Sequence, residues 1–181
     1  MGRQNADFES LALPLLDPLY NYARWLCGDA DESRDLVQET FTKALKGFSG
    51  FQPGTNFRAW MFRILRNTFL TSRVGLERRN TEQEGEDGLD NTPSAHDTPE
   101  LLLIRRADTE LVQQGIATLD LRFREVLILA DLEEMKYQEI AETLGIPIGT
   151  VMSRLARARR QLKDCIVQAL QGGNKKLVAK P

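Results

Sequence analysis

Residues 137–160 have the sequence Tyr137-Gln-Glu-Ile-Ala-Glu-Thr-Leu-Gly145-Ile-Pro-Ile-Gly-Thr-Val-Met-Ser-Arg-Leu-Ala-Arg-Ala-Arg-Arg160. Within this stretch, Ile140, Ala141 and Leu144 follow the spacing of one helical face. Gly145 comes directly afterwards, and a glycine in the left-handed conformation commonly ends a helix. Pro147 suits the first turn of a second helix, where its missing N–H is not needed. The pattern therefore predicts two short helices joined by a glycine-containing turn, which is a helix-turn-helix.

The second predicted helix has an apolar face and a polar face. Its apolar residues recur at steps of four, three and four: Val151, Leu155, Ala158 and Leu162. Its opposite face carries Thr150, Ser153, Arg154, Arg157 and Gln161. Residues 149–163 contain five basic side chains and no acidic one, which could also describe the solvated face of an ordinary bundle helix. Because the charge coincides with the turn and the periodicity, we favour a DNA-binding helix.

The N-terminal half is predicted to be all-helical, since it contains no strand-like alternation of useful length. The predicted helices span about Pro18 to Cys27, Ala30 to Gly47 and Arg58 to Val74, with Asp17 as the cap of the first helix and a turn at 53–56. The third helix combines arginines with Trp60, Phe62 and Phe69. Such side chains suit single-stranded nucleic acid, but for Trp60 and Phe69 packing into the core is the favoured interpretation.

Acidic residues are concentrated in one segment, although the net charge of the whole chain is only −2. Residues 77–100 contain eight acidic and two basic side chains. Such a segment buries too little apolar surface to offset the entropy of ordering. The sequence therefore predicts two small helical domains at 1–76 and 101–172, a flexible acidic linker at 77–100 and a disordered tail at 173–181. Within the second domain, helical structure is expected to continue to residue 119 and again over 121–132.

Several functional classes find no support in the sequence. No apolar run approaches the ~20 residues of a membrane span, and the N-terminus lacks the apolar core of a secretory signal, so we expect a cytoplasmic protein without membrane insertion. Cys27 and Cys165 have no CxxC companions, so we expect reduced thiols and no metal site. The single histidine, His96, lies in the acidic segment. Without a Ser-His-Asp set or a glycine-rich phosphate motif, we expect no enzymatic activity and no cofactor.

Two sets of motifs carry a family resemblance. The first is Asp35-Leu-Val-Gln-Glu-Thr-Phe-Thr-Lys-Ala44 with Asn56-Phe-Arg-Ala-Trp-Met-Phe-Arg-Ile-Leu-Arg-Asn-Thr68. The second is Arg124-Glu-Val-Leu-Ile-Leu129, Tyr137-Gln-Glu-Ile-Ala141 and Gly149-Thr-Val-Met-Ser-Arg-Leu-Ala-Arg-Ala-Arg159. With their surrounding helices, these motifs cover most of the chain outside the acidic linker and tail. The chain thus resembles an extracytoplasmic-function (ECF) sigma factor, the minimal group IV form of the housekeeping-sigma family.

The resemblance implies a subunit that binds the bacterial RNA polymerase core, directs it to specific promoters and is controlled by an anti-sigma factor. Sigma region 2 would occupy 1–76 and melt and bind the −10 element, and sigma region 4 would occupy 101–172 and bind the −35 element. The resemblance places core polymerase at Asp35, Gln38, Glu39 and Phe41. It places the −10 strand at Asn56, Phe57, Arg66 and Asn67. It places the −35 element at Thr150, Ser153, Arg154, Arg157 and Arg160.

Three positions depart from the pattern of the family. Asp120 stands where proline is usual, Lys136 where Ser or Thr commonly precedes the tyrosine, and Met152 where Arg or Lys is frequent. Lys136 has no acceptor for a helix cap, so the start of that helix stays open, and Met152 leaves the exact −35 sequence open. The alternative function is a free-standing helix-turn-helix regulator. Such a protein should carry a ligand-binding or phospho-acceptor domain, commonly with strands, and the N-terminal half has no pattern of that kind.

Overall fold

The computed structural model describes residues 2–77 and 110–177, with side chains over 7–73 and 110–171. The α-helices in these ranges are α1 Gly2–Ala12, α2 Leu16–Cys27, α3 Ala30–Gly47, α4 Phe57–Glu77, α5 at 110–117, α6 Leu121–Leu127, α7 Tyr137–Leu144 and α8 Ile148–Leu177. Short 3₁₀ turns occupy Leu13–Leu15 and Phe48–Gly50, and a π turn occupies Ile128–Leu132. These residues contain no strand, so the all-helical prediction is confirmed. The predicted linker, from residue 78 onward, and the first part of the second predicted domain, 101–109, lie outside the described residues.

Helices α1 to α4 form the N-terminal group, in which α2 packs against α3 and α3 packs against α4. The centre of this group is fully buried and consists of Leu19, Tyr22, Met61, Phe62 and Leu65. Phe69 is also buried, and Trp60 is partly buried against the same core. The core-packing interpretation of these two aromatic residues is therefore confirmed.

Local signals set most ends of the N-terminal helices. Gly28 ends α2 in the left-handed conformation, with φ of 79°. Asp29 caps α3, where its Oδ1 accepts a hydrogen bond from the Glu32 N–H at 2.7 Å. The expectation that Asp17 caps α2 is wrong, because α2 begins at Leu16 and Asp17 lies inside its first turn. Pro14 lies in a 3₁₀ turn that keeps the backbone helical up to α2, whereas an N-cap residue needs extended dihedrals.

Helices α5 to α8 form the C-terminal group, in which α6 and α7 both pack against α8. Gly145 ends α7 with φ of 65°, and the Thr150 N–H donates to the Pro147 carbonyl at the start of α8, at 2.9 Å. The predicted helix-turn-helix is therefore confirmed. Gly115 lets α5 approach α8 closely, because an added Cβ would lie only 2.7 Å from Leu162 Cδ1.

Two helices of the C-terminal group differ in length from the predictions. Helix α8 continues through two glycines to Leu177, into the tail predicted from residue 173, because glycine weakens a helix without preventing it. The helix predicted over 121–132 is regular only to Leu127. The π turn follows, and in it the Glu133 N–H donates to the Ile128 carbonyl at 2.9 Å. Glu134 then adopts the left-handed conformation, with φ of 51°, and the chain leaves the helical path.

The N-terminal and C-terminal groups lie against each other, with α4 packed along α7. Buried apolar side chains from both groups belong to one cluster, which includes Phe62 and Leu65 on α4 and Ile140 and Leu144 on α7. The burial of these residues removes apolar surface of both groups from water at the same place. The face of α4 toward α7 is therefore covered by the C-terminal group.

Cys27 and Cys165 are both free and half-buried. Burial raises the pKa of the Cys27 thiol to about 11, so this thiol stays protonated at neutral pH and is a poor nucleophile. In the part of the chain that the structure describes, no three His, Cys, Asp or Glu side chains are grouped to hold a metal ion. None of the described helices combines the length and the apolar character needed to cross a membrane.

Candidate nucleic-acid interface

The C-terminal candidate interface is the outward face of α8. Its inward face carries Val151, Leu155 and Ala158, which are buried. On the outward face, Ser153, Arg157 and Arg160 are exposed, and Thr150 and Arg154 are half-buried. Arg154, Arg157 and Arg160 make no hydrogen bond or ion pair with any other residue that the structure describes. Their guanidinium groups are therefore available to phosphates or to base edges.

Three further residues of α8 add to this picture. Arg159 is held by Asp131 of the π turn, with its Nε 3.0 Å from Oδ2, so it is less available than its neighbours. Met152 is 54% exposed and Ile148 is 45% exposed. The sequence marks Met152 as a departure from the family but gives no sign that Ile148 is exposed. The beginning of α8 thus presents apolar and hydroxyl groups, and its arginines follow further along the helix.

The N-terminal candidate interface is the loop 51–56 with the beginning of α4. Gly54 in this loop has φ of 90°. Asn56 caps α4, since its Oδ1 accepts a hydrogen bond from the Ala59 N–H at 3.0 Å. Phe57 is half-buried among aromatic rings whose centroids lie 5.2 to 6.2 Å from its own: Phe8, Phe48, Phe51 and Trp60. The loop and part of this aromatic cluster border an open cleft of about 540 Å³.

Arg66 and Asn67 are neighbours on α4 but face different surroundings. Asn67 is exposed and borders a shallow groove of about 280 Å³, together with Lys43 and Trp60. The Arg66 side chain is only 20% exposed and points toward α6, where it is paired with Glu125. The structure therefore brings Asn56 and Phe57 together at the loop, and it places Arg66 in the contact between the two helical groups.

Three carboxylate residues of the C-terminal group contact polar side chains of the N-terminal group. The pairs are Glu125 with Arg66, Glu133 with Arg58 and Glu139 with Asn56. The Glu125 side chain is 2% exposed and the Glu133 side chain 7% exposed. Burial raises the pKa of the Glu133 carboxyl, and Arg58 opposes this only in part. These pairs join positions 59, 75 and 83 residues apart in the chain, so no local spacing predicts them.

Glu139 also explains how α7 can begin at Tyr137 although the Lys136 side chain cannot cap it. Its Oε2 accepts the Lys136 N–H at 2.7 Å, while its Oε1 accepts from the Asn56 amide at 2.6 Å. This is one half of a capping box, and lysine cannot supply the other half. One carboxylate therefore both begins α7 and joins it to the loop before α4.

The predicted core-polymerase residues lie on α3. Asp35, Gln38 and Glu39 are exposed, and Glu39 pairs with Lys43 one turn later at 2.7 Å. Phe41 is half-buried and lies edge-on to Phe8, with the ring centroids 6.4 Å apart. The three polar side chains are thus accessible to a partner, while Phe41 packs toward α1.

Comparison with known proteins identifies the family. The family model of sigma-70 region 2 matches residues 11–79, and that of sigma-70 region 4 matches residues 109–162. The ECF RNA polymerase sigma factor EcfG of Rhodopseudomonas palustris is 35% identical over an alignment of 180 positions that covers 90% of this chain and 93% of that protein. The chain belongs to the ECF RNA polymerase sigma factors. Sigma factors are transcription initiation factors and not enzymes, and the alternative of a free-standing regulator is therefore set aside.

Other relatives agree with this assignment. Sigma factor YlaC of Bacillus subtilis is 33% identical over 86% of this chain and 89% of its own length. ECF sigma factor SigE of Mycolicibacterium smegmatis is 35% identical over 84% of this chain, although the chain spans only 58% of the length of that relative. The region 2 and region 4 matches follow the two predicted domains in order, while the exact domain boundaries stay predictions.

Two solved structures share the fold. One is the sigma factor RpoE in complex with the anti-sigma factor NepR from Bartonella quintana, with a TM-score of 0.72 and 29% identity, covering 88% of this chain and 96% of that one. The other is CnrH in complex with the cytosolic domain of CnrY, with a TM-score of 0.66 and 26% identity, covering 91% and 90%. The similarity extends over both helical groups of this sigma factor.

Proposed function

We propose that this sigma factor binds the RNA polymerase core through α3, the −35 duplex through α8 and the unpaired −10 strand through the loop 51–56 and α4. The observation that carries this proposal is the arrangement of α8. Its apolar stripe is buried, and its outward face presents exposed arginines that have no partner among the described residues. This is the arrangement that a recognition helix needs in a major groove.

The residues of α8 divide according to their position along the helix. The N-terminal part of a recognition helix enters the groove, so Thr150, Ser153 and Arg154 lie nearest to the bases, with Arg157 one turn further. The Ser153 hydroxyl donates to the Thr150 carbonyl at 3.1 Å, which leaves its oxygen free to accept a hydrogen bond from a base. Arg160 lies beyond this part of the helix and is assigned to a backbone phosphate.

The −10 assignment rests on the aromatic cleft. Aromatic walls can stack unpaired bases of any sequence, and nearby basic groups attract the phosphates. Phe57 lines the cleft, Asn56 directly precedes it in the chain, and Asn67 is exposed further along α4. We therefore assign capture of an unpaired base to the cleft, with Asn56 and Asn67 supplying polar contacts.

The partner assignments follow from the family and from α3. Core polymerase is assigned to Asp35, Gln38 and Glu39, which form an exposed polar patch within one turn of each other. Phe41 supports that patch from the inside. Because the similar sigma factor RpoE is bound to the anti-sigma factor NepR in its structure, we propose that an anti-sigma factor controls this protein too. We place the protein in the cytoplasm, where RNA polymerase acts.

The test is run-off transcription with purified bacterial core polymerase on a pool of promoters whose −35 and −10 positions are randomised. The complete holoenzyme should start transcripts from a subset of templates that share one sequence at each element. Core polymerase alone and the sigma factor alone should give no such subset. Transcripts that show no enrichment at either element, despite a stable complex with core polymerase, would refute the proposal.

A further inference from the structure

We infer that, in the free sigma factor, three carboxylates of the C-terminal group hold Asn56, Arg58 and Arg66 beside the open aromatic cleft, so that single-stranded promoter DNA has to displace α6 and α7 before it can use these three side chains. We call Glu125, Glu133 and Glu139, with the side chains they bind, the acidic contact. The inference rests on the proposed −10 function of the loop 51–56 and α4. It adds to that function a control of access by another part of the same chain.

Asn56 and Arg58 each donate at least one hydrogen bond to a carboxylate residue of the C-terminal group. The Asn56 amide lies 2.6 Å from Glu139 Oε1. Arg58 donates to the Glu133 carbonyl at 2.7 Å and to the Glu133 carboxylate at 3.2 Å. A guanidinium offers its N–H groups in a fixed plane to a carboxylate or a phosphate, and the N–H groups that bind Glu133 are not available to a phosphate.

Arg66 is held most firmly. Its Nε and a terminal nitrogen donate to the two oxygens of Glu125, at 2.6 and 3.3 Å. Glu125 is almost fully buried, so water screens this pair much less than a surface pair. A phosphate can reach the Arg66 guanidinium only if α6 moves away, because the carboxylate occupies the place where the phosphate oxygens would lie.

The carboxylates of the acidic contact come from α6, from the segment after the π turn and from α7. These segments belong to one packed helical group, so the acidic contact acts as one unit. Between them, α4 packs along α7 through apolar side chains. The contact is also intramolecular, and a tethered partner competes at a high effective concentration. A single-stranded DNA that binds weakly therefore does not displace these carboxylates in the free protein.

The α8 interface lies outside this arrangement. Arg157 and Arg160 are exposed and contact no side chain of the N-terminal group among the described residues. Duplex binding should therefore be independent of the acidic contact, whereas binding of single-stranded DNA should depend on it. This difference supplies an internal control.

The experiment compares two full-length triple variants. Glu125→Gln with Glu133→Gln and Glu139→Gln removes the charges of the acidic contact and keeps the side-chain shapes. Glu110→Gln with Glu134→Gln and Glu142→Gln removes the same charge from exposed positions of the C-terminal group. The probe is a fluorescein-labelled, mixed-sequence single-stranded oligonucleotide, whose binding is followed by anisotropy. The first variant should bind about tenfold more tightly than the wild type, because glutamine keeps the shape of each side chain but removes the charge from all three contacts.

Small-angle X-ray scattering gives a second measurement on the same proteins. The first variant should have a larger radius of gyration than the wild type, and the control variant should match the wild type in both measurements. Equal gains in affinity for the two variants would show an effect of net charge alone and would overturn the inference. An unchanged affinity in the first variant would overturn it as well. Circular dichroism and the single variant Glu139→Gln, with an expected gain of about twofold, keep the test valid if the triple variant is unstable.

Transcription by the holoenzyme separates this inference from the function on which it rests. Core polymerase loaded with the wild type or with the first variant should select the same −10 sequences. If the holoenzyme selects them but the free variant shows no gain for single-stranded DNA, the control of access is wrong and the proposed function stands. If neither holoenzyme selects a −10 sequence, the proposed function itself is wrong.

Discussion

The two candidate nucleic-acid interfaces use the same side chain in opposite settings. On α8, Arg157 and Arg160 are exposed and meet no acidic partner among the described residues. On α4, Arg58 and Arg66 are partly buried and bind carboxylates of the C-terminal group. A basic side chain on a helix thus shows its potential for binding DNA, but its availability depends on what packs against that helix.

The two settings differ because different parts of the chain orient the arginines. The outward direction of the α8 arginines follows from the apolar stripe of their own helix. The direction of Arg66 follows from Glu125, which is 59 positions away in the chain. The orientation of the α8 arginines is set within one helix, so their surface is always exposed. The exposure of Arg66 depends on the C-terminal group, so its surface can be opened or closed.

The largest effect is expected for Leu155, which belongs to the buried apolar face of α8. Leu155→Ala should lower the free energy of unfolding by about 2–5 kcal/mol, because Leu155 is 2% exposed and a cavity would replace its side chain. Urea denaturation followed by circular dichroism measures the change. Met152→Ala on the same helix is the control, with an expected change of about 0.5 kcal/mol or less. Equal losses for the two variants would contradict the orientation of α8.

The arginines themselves should differ in their effect on stability. Arg66→Ala should cost about 2–3 kcal/mol of unfolding free energy, because it leaves the buried Glu125 carboxylate without its partner. Arg157→Ala should change the stability by no more than about 0.5 kcal/mol. Both values come from urea denaturation under the same conditions. Similar values for the two variants would remove the distinction between the two surfaces.

In binding to duplex DNA we expect the arginines within α8 to differ from one another. Arg157→Ala should cost about 1–3 kcal/mol of binding free energy and relax the preference at one −35 position, if this residue contacts a base. Arg160→Ala should weaken binding to all sequences alike and reduce the salt slope by about one. Titrations with a −35 duplex and its single-base variants at several salt concentrations measure both effects. A uniform loss for Arg157→Ala would assign it to a phosphate and leave base reading to Thr150 and Ser153.

The smallest effect concerns α3. Replacing Gln38 with Ala and Glu39 with Lys should weaken binding to core polymerase about fivefold, because exposed polar contacts at an interface contribute about 1 kcal/mol. Affinity for the −35 duplex should not change, since both residues lie on the N-terminal group. Fluorescence titration with core polymerase and with DNA separates the two functions. A loss in both assays would indicate misfolding, and unchanged core binding would disprove the assignment.

The parts of the fold that could be predicted from the sequence have local causes. Gly145 ends its helix as predicted, and Gly28 follows the predicted helix end at Cys27, because the left-handed conformation strongly favours glycine at these positions. The prediction for Asp17 failed for a reason that is also local, since Pro14 is accommodated in a 3₁₀ turn that continues the helical path. The pairing of Arg66 could not be predicted, because it depends on how two helical groups pack.

The π turn at Ile128–Leu132 ends the helix that begins at Leu121 with one residue more than a regular α-helical turn would hold. Deleting one residue there would restore the regular α-helical register and rotate the following side chains by about 100°. Glu133 would then turn away from Arg58, and the relation between Asp131 and Arg159 would shift in the same step. The number of residues in this segment, rather than their types, therefore decides which arginines on either side are neutralised. Sigma factors that differ by a single residue in this segment should differ in the arginines that they offer to DNA.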